Sequence, residues 1–446
     1  MDNKILAACV GLESLTVLRG LLTDPIVSKF LRLLQNQLLD QPTTLLWVND
    51  YADFYYTLLE KNGGSTYADY LIERLLFTDT VFSRACEKQE LEEVRASVME
   101  AMIHDLHCLS DVAALTASDL KVSALRHLDQ SSYVYEKIKA LPEWETAITY
   151  NGHRKGEELY ACLQVAKNWG ECVPQLADFY RQHGSGAFAC YTGFTWESVG
   201  QNGQLTGIAT VDGIRFSDLI GYELERQKVV DNTLTFIKGY PANNILLYGD
   251  RGTGKSTTVK ALLNEYSSLG LRVVELPQAQ LMDLHSVLHV LKERAQKFII
   301  FVDDLAFDDN EERYTALKAV LEGGLEQKPQ NVVIYATSNR RHLIKEKFSE
   351  RSGLQSGYGN DEVRATDTLQ EKLSLADRFG ITVTFLSPDQ RKYLDIVEGL
   401  AKNRELKIDS TRLRAEAVKW EMWQNGRSPR TARQFIDWLE GQMDRS

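Results

Sequence analysis

The chain has 446 residues, of which 43% are hydrophobic and 25% charged, with 29 glycines and 9 prolines. This length allows about two to four domains, and the composition excludes a collagen, a disordered tail and a low-complexity polymer. The formal net charge of −11 at pH 7 gives no diffuse attraction to the phosphates of nucleic acids, so nucleic acid binding stays possible but is not indicated by charge.

Residues 1–187 are predicted to form a mostly α-helical N-terminal domain. Apolar residues recur there at spacings of three and four, as in Val94, Val98 and Met102. This part also carries most of the acidity, because residues 1–200 contain 17 basic and 27 acidic groups. It contains no motif for catalysis, and we expect it to bind an unknown protein partner.

Residues 188–210 have a different character and are predicted to form a hairpin or a linker. Glycines interrupt short segments that contain Phe188, Tyr191, Phe194 and Trp196. Glycines placed between short apolar segments are typical of turns between short strands.

Residues 211–386 are predicted to alternate strands and helices, and residues 387–446 to form a small helical lid. The apolar runs indicate a parallel five-stranded sheet between helices, since parallel strands are buried on both faces. The predicted strands are 245–248, 272–276, 298–302, 332–336 and 381–385. The predicted lid helices are 390–403, 410–423 and 429–442.

The strongest chemical signal is a phosphate-binding loop between a predicted strand and a predicted helix. Its glycines let the backbone turn N–H groups toward a polyphosphate at close range, where a Cβ would clash. Lys255 is predicted to bind the β and γ phosphates, and Ser256 to give an oxygen to Mg²⁺. The loop residues are Gly249, Asp250, Arg251, Gly252, Thr253, Gly254, Lys255 and Ser256, followed by Thr257.

Two carboxylates directly follow another predicted strand. Asp303 is predicted to hold Mg²⁺ together with Ser256, because an acid at the carboxyl end of a buried strand needs a cation there. Asp304 is predicted to be the general base that polarises the attacking water. Asp308 and Asp309 are alternative bases, because an aspartate reaches one carbon less far than the glutamate expected at this position.

The order of elements after residue 211 resembles that of AAA+ P-loop ATPases. The residues that carry the resemblance are the phosphate loop, the strand that ends in Asp303 and Asp304, and the strand that ends in Asn339. In that superfamily a segment like 216–222 lies near the adenine. The resemblance implies ATP and Mg²⁺ as cofactors, and the absence of an N-K-x-D guanine motif after the strands agrees with adenine.

The resemblance also implies roles for three further residues. Asn339 would orient the water and sense the γ phosphate, Arg378 would be an arginine finger that acts on a neighbouring subunit, and Arg430 would reach the γ phosphate from the lid. Three alternatives stay open: Asn339 as a helix cap, Arg378 as a partner of Asp377, and Arg433 in place of Arg430. A finger of this kind implies a homo-oligomer, in the form of a ring such as a hexamer.

More narrowly, the sequence resembles an uncharacterised AAA+ group named domain of unknown function 815. The resemblance covers about residues 205 to 442. Two departures stand out, because Asp304 replaces an expected glutamate and Pro429 a usual glycine, although proline suits the first turn of a helix. The matching segments are 241–244, 249–256, 303–305, 317–324 and 337–343.

The sequence indicates a cytoplasmic protein without a membrane segment. No apolar run approaches the roughly 18 to 20 residues of a membrane span, and residues 1–4 lack the features of a signal peptide. The six cysteines show no CxxC spacing, so neither a disulfide framework nor a zinc ribbon is expected.

Taken together, the motifs predict an enzyme, an AAA+ ATPase that uses ATP hydrolysis to change the conformation of a partner or to remodel it. One alternative is an ATP-dependent switch or loader that acts on DNA, similar to helicase loaders and replication initiators. The other alternative is a scaffold that binds ATP without hydrolysing it.

Overall fold

A computed structural model describes ten stretches of the chain, which divides into the units Met1–Cys190 and Tyr191–Ser446. Within these stretches, the helices are all too short or too polar to cross a membrane. The described residues are 3–39, 43–62, 66–126, 128–148, 156–199, 202–306, 311–322, 328–339, 378–424 and 426–443.

The first unit is helical. Its described helices are α1 (Asn3–Glu13), α2 (Pro25–Gln37), α3 (Thr44–Asn62), α4 (Tyr67–Phe77), α5 (Val81–Lys88), α6 (Ala96–Ala113), α7 (Ala117–Leu125), α8 (Tyr133–Lys139), α9 (Glu157–Val165), α10 (Val173–His183) and the short α11 (Ala187–Cys190). Several of these helices begin at a capping residue. At the start of α2, for example, the Asp24 carboxylate accepts hydrogen bonds from the backbone N–H groups of Ile26 and Val27.

Aromatic side chains make up much of the core of this unit. The ring of Phe30 lies 4.8 Å from that of Phe54 and 4.6 Å from that of Tyr67. Aromatic pairs at such distances stabilise a core beyond the apolar area they bury. The predicted apolar periodicity therefore corresponds to one helical core.

One disulfide departs from the expectation drawn from the cysteine spacing. Cys162 in α9 is joined to Cys172, which ends a 3₁₀ turn at Trp169–Cys172. The fold brings these two cysteines together, and a separation of ten residues does not reveal that proximity in the sequence.

The described strands of the second unit form one sheet, which has seven strands rather than the predicted five. They are β1 (Gly193–Val199), β2 (Asn202–Gly207), β3 (Ile245–Gly249), β4 (Leu271–Glu275), β5 (Lys297–Val302), β6 (Val332–Ser338) and β7 (Ile381–Phe385). Their order is β2-β1-β4-β5-β6-β3-β7, and β3 to β7 are the five parallel strands that the sequence predicts.

The two additional strands come from the glycine-rich segment after the first unit. β1 and β2 form an antiparallel hairpin, and β1 continues the sheet by pairing in parallel with β4, where Phe194 lies opposite Val274. Phe194 and Trp196 are buried. This hairpin lies within the segment predicted to form a hairpin or a linker. Its place in the sheet depends on pairing with a distant strand, which the local pattern does not reveal.

Helices cover the sheet and form the lid. They are α12 (Glu223–Ile237), α13 (Lys255–Tyr266), α14 (Leu284–Lys292), α15 (Glu311–Glu322) and the lid helices α16 (Gln390–Asn403), α17 (Ser410–Trp423) and α18 (Pro429–Met443). The lid packs through Tyr393 and Ile396 of α16 and Phe435 and Ile436 of α18, which are all buried. The predicted α/β fold class is therefore confirmed: a mostly parallel sheet lies between helices, with a helical lid and a helical N-terminal region.

Candidate nucleotide-binding site

The phosphate-binding loop borders a cleft of about 640 Å³ at the carboxyl ends of the parallel strands. The loop after β3, the ends of β5 and β6, the segment before α12, and the lid helices α16 and α18 surround this cleft. The predicted site residues that line it are Arg251, Gly252, Thr253, Gly254, Lys255, Ser256, Thr257, Asp303, Asp304, Asn339 and Arg430. Residues that are far apart in the sequence thus meet in one place.

Lys255 begins α13 and is almost enclosed by the loop. Lys255 is only 7% exposed to solvent. Its Nζ donates hydrogen bonds to the carbonyl oxygens of Gly249 at 2.8 Å and Asp250 at 2.7 Å, and to Asn339 Oδ1 at 3.0 Å. Burial lowers the pKa of Lys255, while nearby carboxylates act in the opposite direction. The ammonium group is therefore held where the loop meets the end of β6.

Gly249 ends β3 where the backbone of β7 passes too close for a side chain. Its φ is 142°, and a Cβ here would lie 1.9 Å from the carbonyl oxygen of Phe385. We expect Gly249→Ala to lower the free energy of unfolding by about 3 kcal/mol or more, since the obstacle is backbone. Urea unfolding measures this loss.

The matched control is Gly254→Ala. Gly254 has a φ of 94°, but among the described residues no atom beyond its chain neighbours lies within 4 Å of the added carbon. The left-handed backbone alone should then cost about 1–2 kcal/mol. Equal losses in the two variants would contradict the close approach of β3 and β7.

Ser256 and Asp303 line the cleft and are in direct contact. Ser256 Oγ donates a hydrogen bond to Asp303 Oδ1 at 2.6 Å, and Thr337 Oγ1 donates to the same oxygen at 2.5 Å. Hydroxyl and carboxylate oxygens are the hard ligands that Mg²⁺ prefers, and such sites use one or two carboxylates together with phosphate oxygens. The donor set of Ser256 and Asp303 therefore fits a Mg²⁺ ion that accompanies a nucleotide.

Asp304 turns away from β5 with a left-handed backbone. Its φ is 52°, a region that aspartate adopts more readily than most residues. Its backbone N–H donates to Thr337 Oγ1 at 2.9 Å, and its Oδ1 accepts a hydrogen bond from Asn339 Nδ2 at 2.5 Å. Non-glycine residues in this conformation concentrate at functional sites, where the surrounding structure holds them in place.

The lid reaches the loop through α18. The backbone N–H of Arg430 donates to the carbonyl oxygen of Gly252 at 3.1 Å, whereas Arg433 Nη2 lies 3.5 Å from the carbonyl oxygen of Asp218. Both arginines line the cleft. Arg430 therefore lies beside the phosphate loop, and Arg433 beside the segment before α12.

The segment before α12 and one face of α16 form the other end of the cleft. Tyr222 connects them, because its hydroxyl donates to the carbonyl oxygen of Leu386 at 2.5 Å and Lys392 Nζ lies 3.9 Å from its ring centre. Burial raises the pKa of Tyr222 to about 12, so its hydroxyl stays protonated at neutral pH. The apolar side chains at this end belong to Leu219, Ile220, Ile396 and Leu400. An apolar lining of this kind suits a flat base.

The side chain of Asp250 contacts the backbone of Ser387, unlike the loop residues that line the cleft. Its Oδ2 accepts a hydrogen bond from the backbone N–H of Ser387, and hydrogen bonding from Ser387 lowers the pKa of the carboxyl group. Gly249 and Asp250 are not among the residues that line the cleft, and Asp250 lines a neighbouring recess with Arg251. Asp250 thus joins the loop to the start of the lid.

Arg378 lies elsewhere, and several other predicted positions lie outside the described residues. Arg378 is half-buried and lies three residues before β7, outside the set of residues that line the cleft. The alternative bases Asp308 and Asp309, and residue Asp377 beside Arg378, lie outside the described residues, as does the stretch 340–377.

Thr337 and Arg226 also belong to the site, although the sequence did not predict a role for either. Thr337 carries hydrogen bonds to both acidic residues, and Arg226 lines the cleft, where its Nη2 donates to the carbonyl oxygen of Leu219 at 2.7 Å. Arg226 is 9% exposed, and burial lowers its pKa. The available signal for Thr337 was its position as a polar residue near the end of a buried strand, two residues before Asn339.

Comparison with known proteins gives a family and a set of structural neighbours. The model of the family described as "Protein of unknown function (DUF815)" matches residues 189–443. No curated protein sequence matches the chain.

Among solved structures, the chain is similar to the RuvB Holliday junction branch migration motor of Thermotoga maritima, at 15% identity and a TM-score of 0.29. That alignment covers 50% of this chain and 72% of the RuvB chain. Two single-residue variants of that motor match with TM-scores of 0.30 and 0.31, identities of 15% and 13% and the same coverage. At these scores the similarity carries no argument about activity.

Proposed function

The chain belongs to the DUF815 family, and from this premise we propose that it binds ATP with Mg²⁺ and hydrolyses the ATP to drive a conformational change or the remodelling of a partner. The observation that carries the proposal is the meeting of Lys255, Ser256, Asp303 and Asn339 in one cleft beside the loop glycines. Acids with a purely structural role, or a lysine on the surface, would not explain why a buried ammonium group lies next to hard oxygen ligands.

Each polar residue of the cleft has a role in this proposal. Lys255 binds the β and γ phosphates, and Ser256 and Asp303 would hold Mg²⁺, which supplies positive charge to the phosphate oxygens when bound. Asp304 takes a proton from the attacking water, and its hydrogen bond from Asn339 supports a joint action of the two on that water.

The lid and a neighbouring subunit complete the proposed site. The contact of Arg430 with Gly252 supports Arg430, rather than Arg433, as the lid residue that reaches the γ phosphate. Because Arg378 is not among the residues that line the cleft, we propose that it acts on the cleft of a neighbour in a homo-oligomeric ring such as a hexamer. Closure of the lid on the nucleotide would convert the nucleotide state into motion.

We propose that the helical first unit binds a protein partner. Among its described residues, Leu45, Tyr56 and Leu59 of α3 are 80%, 61% and 48% exposed. Their spacings of eleven and three residues put them on one face of the helix. Apolar side chains grouped on an exposed face support an interaction surface.

Lys255→Ala tests nucleotide binding directly. Loss of a charge-assisted contact of about 1.5–3 kcal/mol should raise the Kd for ATP about 10- to 100-fold in isothermal titration calorimetry with Mg²⁺ present. Lys419→Ala is the control, because Lys419 is an exposed lysine of α17 that pairs with Glu416. Equal affinity of the Lys255→Ala variant and the parent would contradict the proposal.

A further inference from the structure

We propose that Thr337 is a positioning residue that sets the geometry of both the Mg²⁺ ligand and the general base. The inference rests on the proposed function, since it assigns a role within the same cleft. Thr337 lies on β6, is 2% exposed, and lines the cleft beside the two acids.

The register of the sheet brings Thr337 to the acids. β5 and β6 pair in parallel with Val302 opposite Ala336, so the next residue of each strand is Asp303 on one side and Thr337 on the other. The carbonyl oxygen of Thr337 also accepts a hydrogen bond from the backbone N–H of Leu305 at 2.7 Å. Thr337 thus holds the chain on both sides of Asp304.

The hydroxyl of Thr337 is used as donor and acceptor at once. It donates to Asp303 Oδ1 at 2.5 Å and accepts from the Asp304 backbone N–H at 2.9 Å. A hydroxyl has one proton to donate, and that proton is directed to the carboxylate. One side chain therefore orients the predicted metal ligand and the backbone of the predicted base.

The hydrogen bonds of Asp303 distinguish its two carboxylate oxygens and indicate which of them would face an ion. Oδ1 accepts from Ser256 Oγ at 2.6 Å, from Thr337 Oγ1 at 2.5 Å and from the Asp304 backbone N–H at 3.2 Å. Within the described residues, these bonds all reach Oδ1, which leaves Oδ2 with its lone pairs directed elsewhere. We therefore assign Oδ2 of Asp303 as the oxygen offered to Mg²⁺ or to one of its water ligands.

The same hydroxyl supports the left-handed turn at Asp304. With a φ of 52°, Asp304 needs neighbours that hold its backbone, and the hydrogen bond from its N–H to Thr337 is one of them. Without that acceptor, the N–H would lose a partner at the end of a buried strand. The Asp304 side chain would then lose its set direction toward the cleft.

Thr337→Val tests the inference, because valine has nearly the shape of threonine and lacks the hydroxyl. We measure the Kd of Mn²⁺, used as a probe for Mg²⁺, by electron paramagnetic resonance in the presence of ATP. Loss of a residue that orients a metal ligand typically weakens metal affinity 10- to 100-fold, and we expect a rise in the Mn²⁺ Kd of that size. ATP affinity without divalent ion should stay within about threefold, because the loop contacts remain.

Two further variants separate positioning from packing. Thr337→Ser keeps the hydroxyl and should restore Mn²⁺ affinity to within about threefold of the parent. Thr233→Val removes another buried hydroxyl of the same unit, one that lies 2.9 Å from the Tyr335 hydroxyl and outside the cleft, and should leave Mn²⁺ affinity unchanged.

The outcomes distinguish the inference from the proposed function. A parent protein that binds neither ATP nor Mn²⁺ would remove the proposed function itself. A parent that binds both, with Thr337→Val equal to it or with Thr337→Ser as weak as Thr337→Val, would overturn the role of the hydroxyl while the proposed function stands. Thermal unfolding of each variant checks that the variant is folded, so that affinities of folded proteins are compared.

Discussion

Arg378→Ala should lower the rate of ATP hydrolysis about 10³- to 10⁵-fold while ATP still binds, the range that an arginine supplied to a phosphoryl transfer site contributes. Arg378 is half-buried just before β7 and is not one of the residues that line the cleft of its own chain. The expected loss therefore arises at the cleft of a neighbouring subunit. Phosphate release and ATP affinity, measured at the same protein concentration, check both parts of the prediction.

A mixing experiment tests whether Arg378 acts across a subunit boundary. A Lys255→Ala subunit has a defective loop but an intact Arg378, so it should restore phosphate release when mixed with Arg378→Ala subunits. Arg412→Ala, which changes an exposed arginine of α17, should lose no activity. If mixing restores nothing while each variant still assembles, Arg378 acts within its own chain or not at all.

Asp304→Asn should lower turnover about 10²- to 10⁴-fold, because it replaces the proposed proton acceptor by a group that cannot take a proton. Asparagine has the same shape, and its Oδ1 can still accept the hydrogen bond from Asn339. ATP binding should therefore persist. Phosphate release and calorimetric ATP affinity measure the two effects separately.

The same variant also tests assembly. The mass in solution, measured with and without ATP, should show an oligomer that forms with ATP and persists in Asp304→Asn, because nucleotide then stays bound. Asp231→Asn, an exposed change on α12, is the control. Unchanged turnover in Asp304→Asn would transfer the role of base to Asp308 or Asp309, and an unchanging monomer would favour a scaffold that binds ATP.

The elements that the sequence predicted best are those with local signals. The lid helix α16 extends over the predicted residues 390–403, and its start follows Asp389, whose carboxylate accepts a hydrogen bond from the Lys392 N–H at 2.7 Å. Its buried residues Tyr393, Ile396 and Leu400 have helical spacing. Capping and periodicity act within a few residues, so the sequence alone reveals them.

The pairing of the hairpin with the rest of the sheet could not be predicted from the sequence. The pairing of Phe194 with Val274 connects segments about eighty residues apart in the chain, and no local pattern specifies which strand β1 will extend. The disulfide between Cys162 and Cys172 was missed for a related reason, because spacing alone does not report distance in the fold.

The sequence by itself determined the phosphate loop, the five parallel strands, the lid helices and the acids that follow β5, because composition and spacing act locally in each. Only the tertiary structure decided which side chains meet: the contact of Lys255 with Asn339, and the double hydrogen bond of Thr337 to Asp303 and Asp304. These contacts depend on the register of β5 against β6 and on the approach of the loop to the end of β6. Both result from packing between segments that are distant in the chain, which no local spacing encodes.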